Sequence, residues 1–144
     1  MAIADTLQHN FLKLHQALYI NSGGRLGHRM IGVPCLLLRS TGRRSGVERT
    51  NAIVYAKDGG DYVLIASNGG ADVSPGWYFN VKHQPSCSVQ VGTNRFPATA
   101  RIVSKGDPDY DRLFQLADSK NHGRFGAYQT RTSRPIPVVV LSPA

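Results

Sequence analysis

Thr41-Gly42-Arg43-Arg44-Ser45-Gly46 places two arginines and a serine in a glycine-bounded loop, and Arg49 follows shortly after. Backbone N–H groups at such a turn can cradle an anion, and neighbouring guanidinium groups can neutralise one. A second donor-rich loop, Ser67-Asn68-Gly69-Gly70-Ala71-Asp72, follows a later apolar run, and Pro75-Gly76-Trp77-Tyr78-Phe79-Asn80 comes just after it. Trp77, the chain's single tryptophan, offers a flat surface that can bear on a ring. An anion site beside a ring surface suggests a nucleotide-like cofactor. Taken singly, these pieces also read as a solvated hairpin loop, a turn and a core aromatic.

Other chemistries find less support. His9, His15, His28, His83 and His122 include no pair spaced for a metal site. No G-x-S-x-G elbow points to acyl transfer. Cys35 and Cys87 lie far apart in apolar runs and read as small buried thiols. The formal charge of +8 would suit an anionic partner. The arginines are scattered, however, and no helix-turn-helix, zinc-finger or RNP pattern accompanies them, so a solvated basic surface is expected and nucleic-acid binding is not. An anionic small molecule accounts only for the cluster at Arg43, Arg44 and Arg49.

The elements that must position these loops read as mainly β with flanking helices. At 144 residues the chain suits one domain. Leu7, Phe11, Leu14 and Leu18 recur at helical spacing, which makes residues 1–21 an amphipathic helix that covers a barrel or rests on a membrane surface. Gly23 to Pro34 reads as a connecting loop. Strands are expected over Pro34–Ser40, Thr50–Lys57, Asp61–Ser67, Ser86–Val91, Arg95–Val103 and Ile136–Leu141. Asp58-Gly59-Gly60 marks a hairpin, and Pro97 argues for an edge or a bulge. Pro75 opens a short helix to about His83, and Asp107-Pro108-Asp109 opens another. Six strands in mostly hairpin order predict a barrel over residues 33–144, since closure removes exposed edges. No βαβ alternation or G-x-G-x-x-G supports a Rossmann domain.

Five pieces in order resemble the deazaflavin-dependent nitroreductase family, whose split β-barrels use coenzyme F420. They are Ser22-Gly23-Gly24-Arg25-Leu26-Gly27, Thr41–Gly46, Ser67–Ala71, Pro75–Asn80, and Tyr128-Gln129-Thr130-Arg131-Thr132-Ser133-Arg134 with Ile136-Pro137-Val138-Val139. The resemblance implies an FMN-binding-like split barrel and an F420 cofactor with a deazaflavin ring, a phosphate and an oligoglutamate tail. Arg43, Arg44 and Ser45 match the family's phosphate- and tail-binding loop, and Arg49 matches a basic residue closing that site. Arg44 stands where lysine is usual and keeps the charge as a planar fork. Asn51, Ile53 and Val54 match the strand that lines the cofactor groove. Ala66, Ser67, Asn68 and Gly69 match the loop near the ring, Asn68 replacing a frequent lysine. Gly76, Trp77 and Asn80 match residues beside the deazaflavin.

The reaction so implied is hydride transfer to an activated C=C, quinone or nitro acceptor, with the protein supplying orientation and electrostatics. His122, Phe125 and Tyr128 correspond to a tyrosine-rich substrate segment in relatives. This departure disfavours nitroimidazole reduction and favours an enone, quinone or lactone. Tyr128, Ser67 and His122 are the expected proton donors or orienting groups. A non-catalytic deazaflavin binder and an FMN-dependent split barrel stay open, as does a basic nucleic-acid-binding barrel on charge alone. The N-terminus lacks a signal-peptide pattern, so a cytoplasmic location is expected. Peripheral contact with the inner membrane face through the first helix and a homodimer both remain open.

Overall fold

An apolar strand covered on both faces needs a packed layer on each side, and this chain builds three apolar clusters around one curled sheet. The computed structural model describes residues 2–22, 29–30 and 33–144, with side chains placed for 12–22 and 33–144. Helix α1 (Ala2–Asn21) precedes strands β1 (Arg29–Met30), β2 (Val33–Thr41), β3 (Glu48–Val54), β4 (Ala56–Asp58) and β5 (Asp61–Ile65). A 3-10 turn at Asn68–Gly70 leads to α2 (Gly76–His83), then β6 (Ser86–Val91) and β7 (Asn94–Val103). Helices α3 (Tyr110–Lys120) and α4 (Arg124–Gln129) come before the last strand, β8 (Val138–Pro143).

The sheet runs β1-β2-β6-β7-β8-β5-β4, with β3 paired on β2. Every strand pairing is antiparallel. Closure comes from the run expected as the single strand Thr50–Lys57. It bends at Tyr55, so β3 pairs with β2 at one edge and β4 pairs with β5 at the other. One residue thus joins the two edges, and the sheet must curl to bring them together. This divides the expected strand in two, and with β1 the count among the described residues rises from about six to eight.

Alternation along the strands sorts the core. Leu36 and Leu38 of β2, Leu64 of β5, Val89 of β6 and Val139 and Leu141 of β8 face inward, onto Trp77, Tyr78 and Val81 of α2. Val63, Ile65, Val138 and Val140 face outward beneath Tyr110, Leu113 and Ala117 of α3 and Phe125 of α4. Cys35 and Leu37 face outward beneath Tyr19 of α1.

Helix α1 does not seat the stripe read from its spacing. Leu14 is 70% exposed and Leu18 47%, while Tyr19 is fully buried. Leu7 and Phe11 lie outside the described side chains. The helix presents polar groups because the surface beneath it has backbone groups in need of partners. Gln16 Nε2 donates to the Thr50 carbonyl at 2.9 Å, and its Oε1 accepts from the Ala52 N–H at 3.1 Å, extending the free edge of β3. The Tyr19 hydroxyl accepts from the Gly92 N–H at 3.0 Å and lies 3.1 and 3.3 Å from the Cys35 and Gln90 carbonyls.

Smaller differences follow the same logic. Part of the expected loop after α1 is strand, with Arg29 opposite Pro34. Asn94, expected in the turn, opposes Val91 and opens β7. Pro97 lies in an interior strand, but the β8 register begins at Ala98 and the Pro97 carbonyl accepts the Ala144 N–H at 2.9 Å, so its missing N–H falls at Ala144, beyond that ladder. Helix α4 had no counterpart among the expected elements.

Two outcomes test these contacts. Tyr19→Phe strips a buried hydroxyl from three backbone groups and should cost about 1–3 kcal/mol in urea denaturation. Burial pushes the Cys87 thiol up to about 11, so its proton is held in the folded chain after an unfolded thiol has lost it. Stability should therefore fall as pH rises from the ordinary thiol range of ~8.5 toward about 11, and Cys87→Ala should flatten that fall.

Candidate functional site

The polar end of the barrel holds a groove of about 680 Å³, within the roughly 300–1,000 Å³ range of small-molecule sites. Glu48, Arg49, Thr50 and Asn51 of β3 form one wall, and Asn68, Ser74, Pro75, Gly76, Trp77 and Asn80 form the other. Curling the sheet makes these walls neighbours, since β3 borders β2 and α2 packs its apolar side against Leu36 and Leu38. Trp77 is both core and groove wall at 7% exposure. Pro75, in extended conformation, stops α2 from starting earlier. The first turn of the helix, whose amides carry partial positive charge, thus lies on the groove.

Asn80 ties the groove to the arginine loop. It is buried, its Oδ1 accepts the Arg43 N–H at 3.1 Å, and its Nδ2 donates to Ser40 Oγ at 3.4 Å. The loop closes on itself through Gly42 N–H to Val47 O and Gly46 N–H to Gly42 O, each 2.8 Å. Ser45 Oγ accepts the Val47 N–H. A Cβ on Gly42 would lie 2.7 Å from Ser45 Oγ and 3.1 Å from the Val47 carbonyl, so a side chain there would crowd this closure. Among the described residues, the Arg44 and Ser45 amides meet no protein acceptor.

The charges divide by employment. Arg101 pairs with Asp107 and Asp109, and Arg112 with Asp58. Arg39 donates to Gln90. Arg43, Arg44 and Arg49 have no carboxylate within 4.0 Å among the described residues. The Arg43 guanidinium stacks 4.7 Å above the Phe79 ring, which fixes its direction without neutralising it. Free cations, open loop amides and a helix N-terminus around one groove suit an anionic, polar, elongated ligand. Trp77 adds one flat surface, and neither groove nor loop supplies a metal set: no group of three or more His, Cys, Asp or Glu that could hold one occurs among the described residues.

Arg49, Asn51, Asn68, Gly76, Trp77 and Asn80 meet at the groove. Arg43, Arg44 and Ser45 stand on the loop attached to it through Asn80. Ala66 is fully buried in the inner core, and Gly69 holds a φ of 65° within the 3-10 turn. Ile53 packs on the inner cluster, whereas Val54 packs on the outer two. Alternation therefore turns the Val54 side chain away from the groove.

The expected proton donors are not brought together. Ser67 is 8% exposed and adjoins Asn68, and its hydroxyl has no protein partner among the described residues. Tyr128 packs against the outer cluster, edge-on to Phe125 and under the Arg131 guanidinium at 5.3 Å. His122 is exposed in the turn between α3 and α4 with a φ of 57°. Neither Tyr128 nor His122 lines the groove. The unforeseen helix α4 accounts for this, because it docks residues 124–129 behind the 3-10 turn. A Cβ on Gly70 would lie 2.6 Å from the Tyr128 carbonyl, a measure of how close that docking is.

Glu48, Thr50, Ser74 and Pro75 line the groove without having been expected there. Alternation would select only one parity on β3, but Glu48 and Arg49 are both exposed where the strand runs beyond its cover. The position of Pro75 at the entry to α2 was readable, but the wall it joins was not.

Comparison with known proteins accords with this geometry. A family model described as F420H(2)-dependent quinone reductase matches residues 11–143. A Mycobacterium tuberculosis protein named F420H(2)-dependent quinone reductase is 49% identical over 132 residues, covering 91% of this chain and 89% of that protein. A solved structure titled F420-H2 dependent reductase superposes with a TM-score of 0.67 at 35% identity, covering 76% of this chain and 94% of the other. Another, described as a domain-swapped dimer, gives 0.69 at 30% identity, over 94% and 99%. These neighbours bear out the split-barrel reading of the curled sheet, and the chain belongs to the F420H(2)-dependent quinone reductase family.

Proposed function

We propose that this chain is an F420H2-dependent oxidoreductase that reduces a quinone. The observation that carries the reading is the groove lined by Arg49 and Trp77, with the free cations Arg43 and Arg44 on the loop tied to it through Asn80. Family membership makes F420 the cofactor in preference to FMN. The cofactor supplies two-electron hydride chemistry when bound.

The residues present fit such a group. Arg43, Arg44 and Arg49, with the Arg44 and Ser45 amides, suit the phosphate and oligoglutamate tail. Asn51, Asn68 and Asn80 offer donors and acceptors to the polar linker, and Trp77 and Gly76 leave a flat face for the ring. Ile53 and Ala66 keep the inner end apolar, and the Ser67–Gly69 backbone borders the ring. Ser67 is the side chain we assign to orient the acceptor or pass it a proton, because it has an uncommitted hydroxyl in the loop next to the groove. Tyr128 and His122 are assigned supporting roles behind that loop. A quinone needs orientation and proton delivery to its oxygens, which Ser67 can serve.

We assign α1 a role in meeting that acceptor. Leu12, Leu14, Leu18 and Ile20 are exposed along it, and no helix among the described residues is long and apolar enough to cross a membrane. Leu14 and Leu18, the most exposed of these and one turn apart on the same face, suit the surface of a bilayer, where lipid-soluble quinones dissolve.

Mixing the protein with F420H2 and a naphthoquinone should give stoichiometric recovery of F420 absorbance; absence of turnover with quinones and enones alike would overturn the reading. Arg44→Ala and Arg49→Ala should each raise the KM for F420H2 roughly tenfold, the worth of one charge-assisted contact, and leave the quinone KM unchanged. Sedimentation with anionic vesicles should carry down the wild type, and Leu14→Glu with Leu18→Glu should leave it in the supernatant.

A further inference from the structure

Arg134 makes a concentrated set of contacts with a single loop. Its Nε donates to the Ala71 carbonyl at 2.8 Å and its Nη1 to Ser74 Oγ at 3.1 Å. Its Nη2 lies 2.9, 3.3 and 3.4 Å from the Ser67, Ala66 and Val73 carbonyls. The guanidinium thus spans the loop from the end of β5 to the residue before Pro75. Around it, Thr132 Oγ1 donates to Asp72 Oδ1 at 2.8 Å, and Arg131 Nη1 donates to the Gly69 carbonyl at 3.3 Å.

Gln129 holds the clamp in place. Its Nε2 donates to the Arg134 carbonyl at 2.8 Å and lies 3.3 Å from that of Thr132, while its Oε1 accepts the Ile136 N–H at 2.9 Å. One amide side chain therefore folds residues 130–136 into the turn that aims Arg134. Burial pulls the Arg134 guanidinium below its ordinary value, and Asp72 and Tyr78 oppose that pull. Arginine stays charged under any such shift.

The peptide geometry gives these contacts a direction. In a trans peptide the N–H points opposite to the C=O. With the Ala66 and Ser67 carbonyls turned onto Arg134, the amides of Ser67 and Asn68 point away from it. Among the described residues no acceptor meets either amide. The loop also holds one non-glycine residue in the left-handed region, Asn68 with a φ of 48°, while Gly69 and Gly70 adopt 65° and 85° freely. A non-glycine residue such as Asn68 adopts that conformation at a cost.

We propose that Arg134 is a positioning residue for the cofactor: by gripping carbonyls of the 66–74 loop, it presents the Ser67 and Asn68 amides to the electron-rich carbonyl edge of the deazaflavin. This rests on the F420 reading above. Lysine cannot replace it, because a single ammonium lacks the planar fork that bridges several carbonyls.

The test uses Arg134→Lys and Arg134→Met, with Gln129→Met as a milder route that displaces the clamp without removing the charge. Amide hydrogen exchange of the cofactor-free protein should accelerate at least tenfold at Gly70 and Ala71, whose amides are hydrogen-bonded within the loop, in both Arg134 variants, with β5 and β8 unchanged. The Kd for oxidised F420, read from its fluorescence, should rise about tenfold together with the KM for F420H2. Gln129→Met should shift both quantities in the same direction by less. Unchanged loop exchange overturns the clamp, and faster exchange with unchanged F420 affinity overturns its role toward the cofactor. A wild-type protein that fails to bind F420 overturns the function proposed above and the ligand assigned to these amides. The exchange data still decide whether Arg134 orders the loop.

Discussion

Residues 48–58 serve both edges of one sheet. Because β3 pairs with β2 and β4 with β5, the bend at Tyr55 forces the strands between them to curl, and much else follows from that closure. The Tyr55 N–H donates to the Pro34 carbonyl at 3.2 Å, so the bend itself is hydrogen-bonded to the strand beside it. Curling creates an inside, which α2 fills with Trp77, Tyr78 and Val81. It also creates an outside that α1 covers in one patch and α3 with α4 in another. The groove forms where β3 emerges beyond its cover and faces the start of α2.

Polar groups, more than apolar area, place the parts that surround this groove. Gln16 and Tyr19 settle α1 on the sheet by completing backbone partners, and the leucines of that helix remain outside. Asn80 holds the arginine loop, and Arg134 holds the loop opposite. Each is a buried or half-buried group whose loss leaves a main-chain partner unmet, which costs more than the bond is worth when made. The same accounting separates the arginines. Those with internal carboxylates or carbonyls shape the fold, and Arg43, Arg44 and Arg49 remain free for an anion.

Much of the fold was legible along the chain. The hairpin at Gly59-Gly60 was readable because two glycines between apolar runs leave few alternatives, and β4 and β5 pair there with Asp58 opposite Asp61. The tight loop at Thr41–Gly46 was readable because its two bounding glycines favour a turn, and it closes through Gly42 and Gly46. Local signals fail where partners are remote. Tyr55 looks like any residue within a strand, and nothing nearby announces that its neighbours pair with different edges. Leu14 and Leu18 have the spacing of a buried stripe, but the surface awaiting α1 called for hydrogen bonds. Helix α4 carries Gly126 and follows two residues of positive φ, His122 and Gly123, and so escapes a reading by period.

By itself, the sequence determined the β-rich class, the two donor loops and the family, since each depends on residue types at short spacing. Tertiary structure decided which wall each loop joins and which arginines stay free. It also turned Val54 outward and set Tyr128 and His122 off the groove wall. The physical reason is common to all of these. A side chain's chemistry is local, but its direction and its partner depend on sheet closure and on backbone groups tens of residues away.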